Sequence, residues 1–339
     1  MKRVLVLYAR DWLNPESGAI EHYLHEVFAR IVGHGHYVAW ISHTYPVWPF
    51  SRKQAPQLEI VDGIQIARLG IRYFHRAMVG MLLAKLSRSG KFQRNFDAII
   101  DCVTAYPMSA AEQAPVPVVP LVFGLKRNTL AIEHPPRPII AVTDYARRQL
   151  TQAGVPETRI ISAPFAVDHE IYAPSFVPDA PSALVAVDHN PKCLAGALRR
   201  LIGQAQLPAI HLLGGKMRRF NRERVIHFPF GDEEHRANLY RNALMGYCGE
   251  GAESEALAFA ASGVPVICPA TPAGREYILD DQTGLLFEPG NQAALADLLV
   301  RLTKDELLRR RLSVRARERA KEMSWDKTAS LVLAAIENL

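Results

Sequence analysis

Long apolar stretches are missing from this sequence: none approaches the ~18 residues that a membrane-crossing helix requires. The opening Met1-Lys2-Arg3 followed by Val4–Tyr8 has the look of a charged leader, but the apolar run breaks at Arg10-Asp11, too early for a signal segment. The expectation is a soluble, cytoplasmic protein. Cysteine is scarce and scattered. Cys102, Cys193, Cys248 and Cys268 form no C-x-x-C pair and have no histidine at metal-ligand spacing, so they read as small buried hydrophobes rather than a disulfide framework or a zinc site. G-x-S-x-G, P-loop and H-E-x-x-H motifs are all absent, and with them the usual serine-hydrolase, P-loop nucleotidase and zinc-protease chemistries. No D-x-D stands near a strand end, and no solenoid-type repeat runs along the chain.

Acidic residues are missing altogether from Gly63 to Phe96, where Arg68, Arg72, Arg76, Lys85, Arg88, Lys91 and Arg94 stand among Ile71, Phe74, Met78, Met81, Leu82 and Leu86. Two readings fit: a solvated basic face on a core-packed helix, or a face held against an anionic membrane surface or an acidic acceptor. The formal net charge of +6 favours anionic partners in general. Nucleic acid is disfavoured, because no recognised module or interleaved stacking aromatics accompany the charge.

The 339 residues suggest two domains, each large enough to bury its own core. Short β-rich runs alternate with helical patterns from end to end, the signature of parallel α/β sheets. Strands are expected at Val4–Tyr8, Tyr37–Ile41, Ile64–Arg68, Ala98–Asp101, Val118–Phe123 and Ile139–Val142. Ile20, Leu24, Val27, Phe28 and Ile31 mark a first helix by their 3.6-residue spacing, and Thr143-Asp144 caps a short one. Pro164, Pro174, Pro178 and Pro181 punctuate a linker. Alternation then restarts at Ala183–Val187, His211–Leu213, Val225–Phe228, Leu244–Cys248, Val264–Cys268 and Leu285–Phe287, and from Asn291 onward the chain reads as helix throughout. The expected division is 1–163, a linker at 164–182, 183–323, and a C-terminal helix at 324–339 packing back on the first domain. Each half is a doubly wound, Rossmann-like sheet; ligands bind such sheets at the carboxyl ends of the strands, which for a facing pair means the cleft between them.

The most informative stretch runs from Gly249 to Val266. A strand ends at Cys248, and a glycine-flanked turn leads into a helix expected to begin near Ala252. Amides at that helix start can hold a diphosphate, Gly251 permits close approach, and Glu250 projects from the turn as an acceptor for sugar hydroxyls. Glu253 and Glu255 are equally well explained as acidic residues favoured in a first helical turn. This segment resembles the E-G-x-x-x-x-x-x-E-A-x-A-x-G-x-P-V block of retaining glycosyltransferase family 4, the glycosyl transferases group 1. Pro272–Ile278 and Asp281–Gly290 resemble that family's next block. Fainter likenesses lie at Ser17–Glu21 with Gly35–Val38, at Ala163–Asp168 with Tyr172–Pro174, and from Gly231-Asp232 to Ala243.

The resemblance implies the GT-B architecture of two facing doubly wound domains, the first on the acceptor side and the second binding a nucleotide sugar. It implies that Glu250 is catalytic and faces the donor sugar, and that Lys192 neutralises the diphosphate. Gly18, Gly251, Ala252, Glu255, Gly274 and Glu276 complete a donor site without metal or cofactor. Four positions depart from the family pattern. Ala258 stands where a second, ribose-binding glutamate belongs, with Glu255 one helical turn earlier, and Val187-Asp188-His189 occupies the place of a phosphate-binding arginine. Phe123 replaces a histidine, and Phe165-Ala166 replaces Asn-Gly. The implied activity is transfer of a hexose, with retention, from a nucleotide diphosphate sugar to a saccharide or lipid-linked acceptor at the cytoplasmic membrane face, in envelope or exopolysaccharide synthesis. A non-catalytic GT-B partner or regulator and a nucleotide-sugar epimerase are the alternatives. His34, His36 and His43 read as capping or surface residues, Gly214-Gly215-Lys216 with Arg218 and Arg219 as a basic turn, and Arg309–Lys321 as a solvated helix face.

Overall fold

The computed structural model describes residues 1–46, 54–90, 92–104, 114–125, 137–174, 183–202, 207–217, 225–229 and 233–339. They form two units, Met1–Phe165 with Trp325–Leu339, and Ala166–Ser324. Lys91, Arg218, Arg219, Gly231, Asp232, Pro178 and Pro181 lie outside the described residues.

The first unit contains β1 (Arg3–Leu7), α1 (Ala19–Gly33), β2 (Tyr37–Ser42), β3 (Leu58–Val61), β4 (Ile64–Arg68), α2 (His75–Arg88), α3 (Phe92–Asn95), β5 (Ala98–Val103), β6 (Val118–Val122), β7 (Ile139–Ala141), α4 (Asp144–Gln152) and β8 (Ile160–Ser162). Its strands lie in the order β3-β4-β2-β1-β5-β6-β7-β8, parallel throughout except for β3 on β4. The central strands are buried on both faces, which explains their unbroken apolar runs. Tyr23, Leu24, Val27, Phe28 and Ile31 form the buried stripe of α1, and Thr143 caps α4 by accepting the Ala146 N–H at 2.9 Å. The antiparallel edge strand β3 has no counterpart in the sequence reading. Its signal was present as Asp62-Gly63, two residues at φ 52° and 75° that make the tight turn of a hairpin. A last helix, Trp325–Glu337, packs along α1, with Arg30 Nε 2.9 Å from Asp326 Oδ1 and the Thr328 hydroxyl donating to the Pro164 carbonyl at 2.9 Å.

Arg68 overturns part of the basic-face reading. It is not on a surface: its guanidinium and the Asp11 carboxylate are both fully buried, with Nε 2.9 Å from Oδ2 and Nη2 3.1 Å from Oδ1. Ser42 Oγ (2.6 Å) and Tyr45 Oη (3.1 Å) also donate to Asp11, while Arg68 reaches Glu59 at 2.6 Å and the Pro56 carbonyl at 2.8 Å. A charge at a strand end can turn inward whenever a carboxylate on the neighbouring loop meets it, and composition cannot report that. The apolar side of α2 also differs from expectation. His75, Val79 and Leu83 are buried, whereas Ile71, Tyr73, Phe74 and Met81 are exposed beside the exposed Arg72, Arg76, Lys85 and Arg88.

The second unit contains β9 (Ala183–Val187), α5 (Lys192–Leu201), β10 (Ala209–Leu213), β11 (Val225–Phe228), α6 (Glu233–Arg241), β12 (Ala243–Cys248), α7 (Glu255–Ala261), β13 (Val266–Pro269), α8 (Pro272–Tyr277), β14 (Leu285–Phe287), α9 (Gln292–Lys304) and α10 (Glu306–Lys321). The sheet order β11-β10-β9-β12-β13-β14 is wholly parallel. Leu194, Leu198, Leu212, Leu295 and Leu299 fill the core between sheet and helices. The helical C-terminal region is divided into three helices, because Asp305 caps α10 by accepting the Leu308 N–H at 2.8 Å and a second break follows Lys321. All four cysteines are free; Cys102, Cys248 and Cys268 are buried and Cys193 is half-buried. No described helix is long and apolar enough to cross a membrane.

Candidate functional site

The chain enters the second sheet at β9, adds β10 and β11 on one side, then crosses back to lay β12 on the other side of β9. In a parallel sheet this reversal leaves a crevice outside the carboxyl ends of the two central strands, where neighbouring loops diverge. Val187 and Cys248, the last residues of β9 and β12, are paired across that point. The turn after β9 ends at Lys192, the exposed first residue of α5. The turn after β12 carries Glu250, also exposed. Two residues far apart in sequence therefore leave adjacent strands at the same edge of one sheet.

The turn after β12 is held by its own groups. Helix α7 starts at Glu255, not near Ala252 as the sequence suggested. The Gly251 N–H donates to Glu253 Oε2 at 2.8 Å and the Ala252 N–H to the Gly249 carbonyl at 3.1 Å. These two amides, expected to hold a diphosphate, are thus committed within the turn. Gly251 keeps a different role: at φ +84°, with open space where a Cβ would stand, it makes the turn and leaves its outer side clear. The other oxygen of the buried Glu253 accepts the Thr271 hydroxyl at 2.9 Å, and Thr271 Oγ1 accepts the Gly274 N–H at 2.9 Å, capping α8. Gly274 is required by packing, since a Cβ there would lie 2.1 Å from the Pro269 carbonyl oxygen. Glu276, two residues on, is half-buried with Oε2 closed off from solvent, and its carbonyl accepts from Arg319 at 3.0 Å.

Glu255 does not go where helix geometry suggested. Its carboxylate accepts the Tyr240 hydroxyl at 2.7 Å and stands 3.8 Å from Arg236 Nε, on the α6 side of α7. Both contacts fall on Oε2. Ala258 is buried. Gly18 belongs to the first unit, where it precedes α1 and its N–H donates to Glu21 Oε2 at 2.8 Å; Glu21 is buried and its Oε1 accepts from Arg10 Nε at 2.6 Å. Two departures, Phe123 and Phe165, prove to be one feature. Both rings pack edge-on against Tyr23, at centroid distances of 5.3 and 5.1 Å, and the Tyr23 hydroxyl donates to the Ala163 carbonyl at 2.8 Å.

Asp188 and Glu253 are the residues that sequence reasoning missed. Asp188 is 3% exposed, and its Oδ1 accepts the Asn190 N–H at 2.8 Å. Burial pushes its carboxyl above the usual range, reinforced by the charge of Glu250 and opposed by the Asn190 amide, His189 and Tyr247. No motif advertises either residue, because each also meets a distant turn, Asp188 at Gly249 and Glu253 at Thr271.

Residues 219–319 match the family Glycosyl transferases group 1. A D-inositol 3-phosphate glycosyltransferase of Xylanimonas cellulosilytica is 32% identical over 163 residues, 45% of this chain and 38% of that relative. The aligned stretch thus spans well under half of that relative's length. Sucrose-phosphate synthase from Thermosynechococcus elongatus superposes with a TM-score of 0.73 at 16% identity, covering 100% of this chain and 99% of that one. Anabaena HepE in complex with UDP and glucose superposes at 0.68 with 12% identity, and covers both chains fully. The two parallel-sheet units are those of the GT-B fold.

Proposed function

We propose that this chain is a retaining glycosyltransferase, moving a sugar from a nucleotide diphosphate sugar to a saccharide or lipid-linked acceptor in envelope or exopolysaccharide synthesis. The observation that carries the reading is that Lys192 and Glu250 leave adjacent strand ends at the reversal point of the second sheet, with Glu250 inside the stretch that matches the sugar-transferring family. The D-inositol 3-phosphate glycosyltransferase relative and the UDP-bound fold neighbour support it. As the bond from sugar to diphosphate breaks, negative charge builds on the leaving diphosphate. Lys192 stabilises that charge without a metal, and the Glu250 carboxylate holds the donor's hydroxyls in register.

A second reading, a non-catalytic GT-B partner, is favoured by one observation: Ala258 is buried where a ribose-binding carboxylate belongs, and Glu255 is engaged elsewhere. Calorimetry against UDP-, GDP-, ADP- and dTDP-sugars in the presence of EDTA separates the two. One donor class binds and is turned over once an acceptor is supplied; binding of none would leave only the second reading.

The acceptor side includes an anionic membrane surface, met by the segment around α2 at the inner face of the plasma membrane. The exposed Ile71, Tyr73, Phe74 and Met81 offer apolar and aromatic groups to the interface, and Arg72, Arg76, Lys85 and Arg88 attract anionic headgroups. The protein is expected to sediment with vesicles containing phosphatidylglycerol and not with phosphatidylcholine alone, with binding weakened by raising salt from 0.1 to about 1 M. Equal sedimentation with both vesicles would reduce the segment to an ordinary solvated surface.

A further inference from the structure

We propose that Asp188 is the positioning residue of the donor crevice, the buried post on which the loops bearing Lys192 and Glu250 are both set. The inference rests on the donor-site reading above. The carboxylate makes two kinds of contact, one with each loop. On its own side, Oδ1 accepts the Asn190 N–H at 2.8 Å, closing the short turn that delivers Pro191 and then Lys192 at the start of α5. Across the crevice it lies flat against Gly249: a Cβ at that glycine would stand 2.3 Å from Cγ and 2.6 Å from either oxygen. Only glycine lets the β12 turn settle this close, and Glu250 is the next residue.

A third loop closes on the same residue from the other neighbour, β10. The Asp188 N–H donates to the Leu213 carbonyl at 3.1 Å, and its own carbonyl lies 2.2 Å from where a Gly215 Cβ would be. Turns that leave three adjacent strands thus meet at one 3%-exposed residue, two at its side chain and one at its backbone. Asp188 does not reach outward to bind donor; it sets where Lys192 and Glu250 stand.

The test compares Asp188→Ala, Asp188→Asn, Gly249→Ala and the Asp188→Ala/Gly249→Ala double variant by calorimetry with UDP, GDP, ADP and dTDP, alongside melting temperature. For whichever nucleotide binds the wild type, Asp188→Ala is expected to weaken binding by about tenfold, the scale of a lost buried hydrogen-bonded group. Asp188→Asn keeps an oxygen for the Asn190 amide and recovers most of the affinity. Gly249→Ala alone weakens binding by about tenfold or more, but adds less than about threefold in the Asp188→Ala background, where the atoms it would strike are gone. Purely structural damage would lower the melting temperature and leave the affinity of the folded protein unchanged, and that result overturns the proposal. So does additivity of the two substitutions. If the wild type binds none of the four nucleotides, the functional reading fails instead. Hydrogen exchange over 188–192 and 249–252 then decides: exchange in Asp188→Ala as slow as in wild type at both turns rejects the positioning role.

Discussion

Lys192→Ala and Glu250→Ala are each expected to cost the transfer reaction about 10²- to 10³-fold in kcat/KM, the range seen when a group that meets developing charge is removed from a preorganised site. The thermal unfolding of both variants should match wild type, because both side chains are exposed and surface substitutions of this kind change stability by no more than about 0.5 kcal/mol. The two losses should differ in character. On the proposed reading Lys192 meets the diphosphate in ground state and transition state alike, so its removal raises the donor KM as well as lowering kcat, whereas Glu250 orients the sugar for the reacting geometry and its removal falls mainly on kcat. Initial rates over a donor concentration series, using the donor identified by calorimetry, read out both. Full activity in both variants would displace the site from the β9–β12 crevice, whatever becomes of the fold.

The second large effect is on stability. Arg68→Ala is expected to destabilise the protein by about 3–5 kcal/mol, because it leaves the Asp11 carboxylate buried with its ion-pair partner gone. Asp11 would keep only the hydroxyls of Ser42 and Tyr45 and its local loop contacts. Replacing both partners, as in Asp11→Leu/Arg68→Met, should recover a large share of the loss, since an apolar pair needs no compensation in a dry site. Glu59 is partly exposed and can turn to water once Arg68 is gone. Urea unfolding of wild type and the two variants measures the differences directly. A loss below about 1 kcal/mol for Arg68→Ala would mean that water reaches Asp11. The consequence extends beyond stability, because Asp11 shapes the start of the loop that ends at Gly18: the Leu13 N–H donates to its Oδ1 at 3.2 Å and the Asn14 N–H to its carbonyl at 3.2 Å.

Arg68 and α2 show what composition can and cannot convey. The acid-free segment 63–96 was visible as a charge imbalance, but the inward turn of Arg68 was not. Its partner Asp11 lies 57 residues away, and burial of the pair depends on β4 and the loop after β1 meeting at one sheet edge. The apolar residues of α2 were visible too. Which of them face the core was decided by how the helix packs on the sheet, which leaves Met81 exposed, as are Ile71 and Phe74 just before the helix. The hairpin at Asp62-Gly63 was legible in principle and simply outranked by the larger strands around it.

The sequence by itself determined the alternation of strands and helices and the cap at Thr143, because periodicity and turn residues are written within a few residues of one another, while the candidacy of Glu250 and Lys192 came with the family resemblance. The tertiary structure alone decided that β12 returns to the flank of β9, so that Lys192 and Glu250 share one crevice. It also decided that Glu255 turns to Tyr240 and that the Gly251 and Ala252 amides are spent inside their own turn. Asp188 is the clearest case. Its meaning lies in a glycine on the adjacent strand's turn whose missing Cβ makes room for its carboxylate, a complementarity between distant segments that no local pattern can encode.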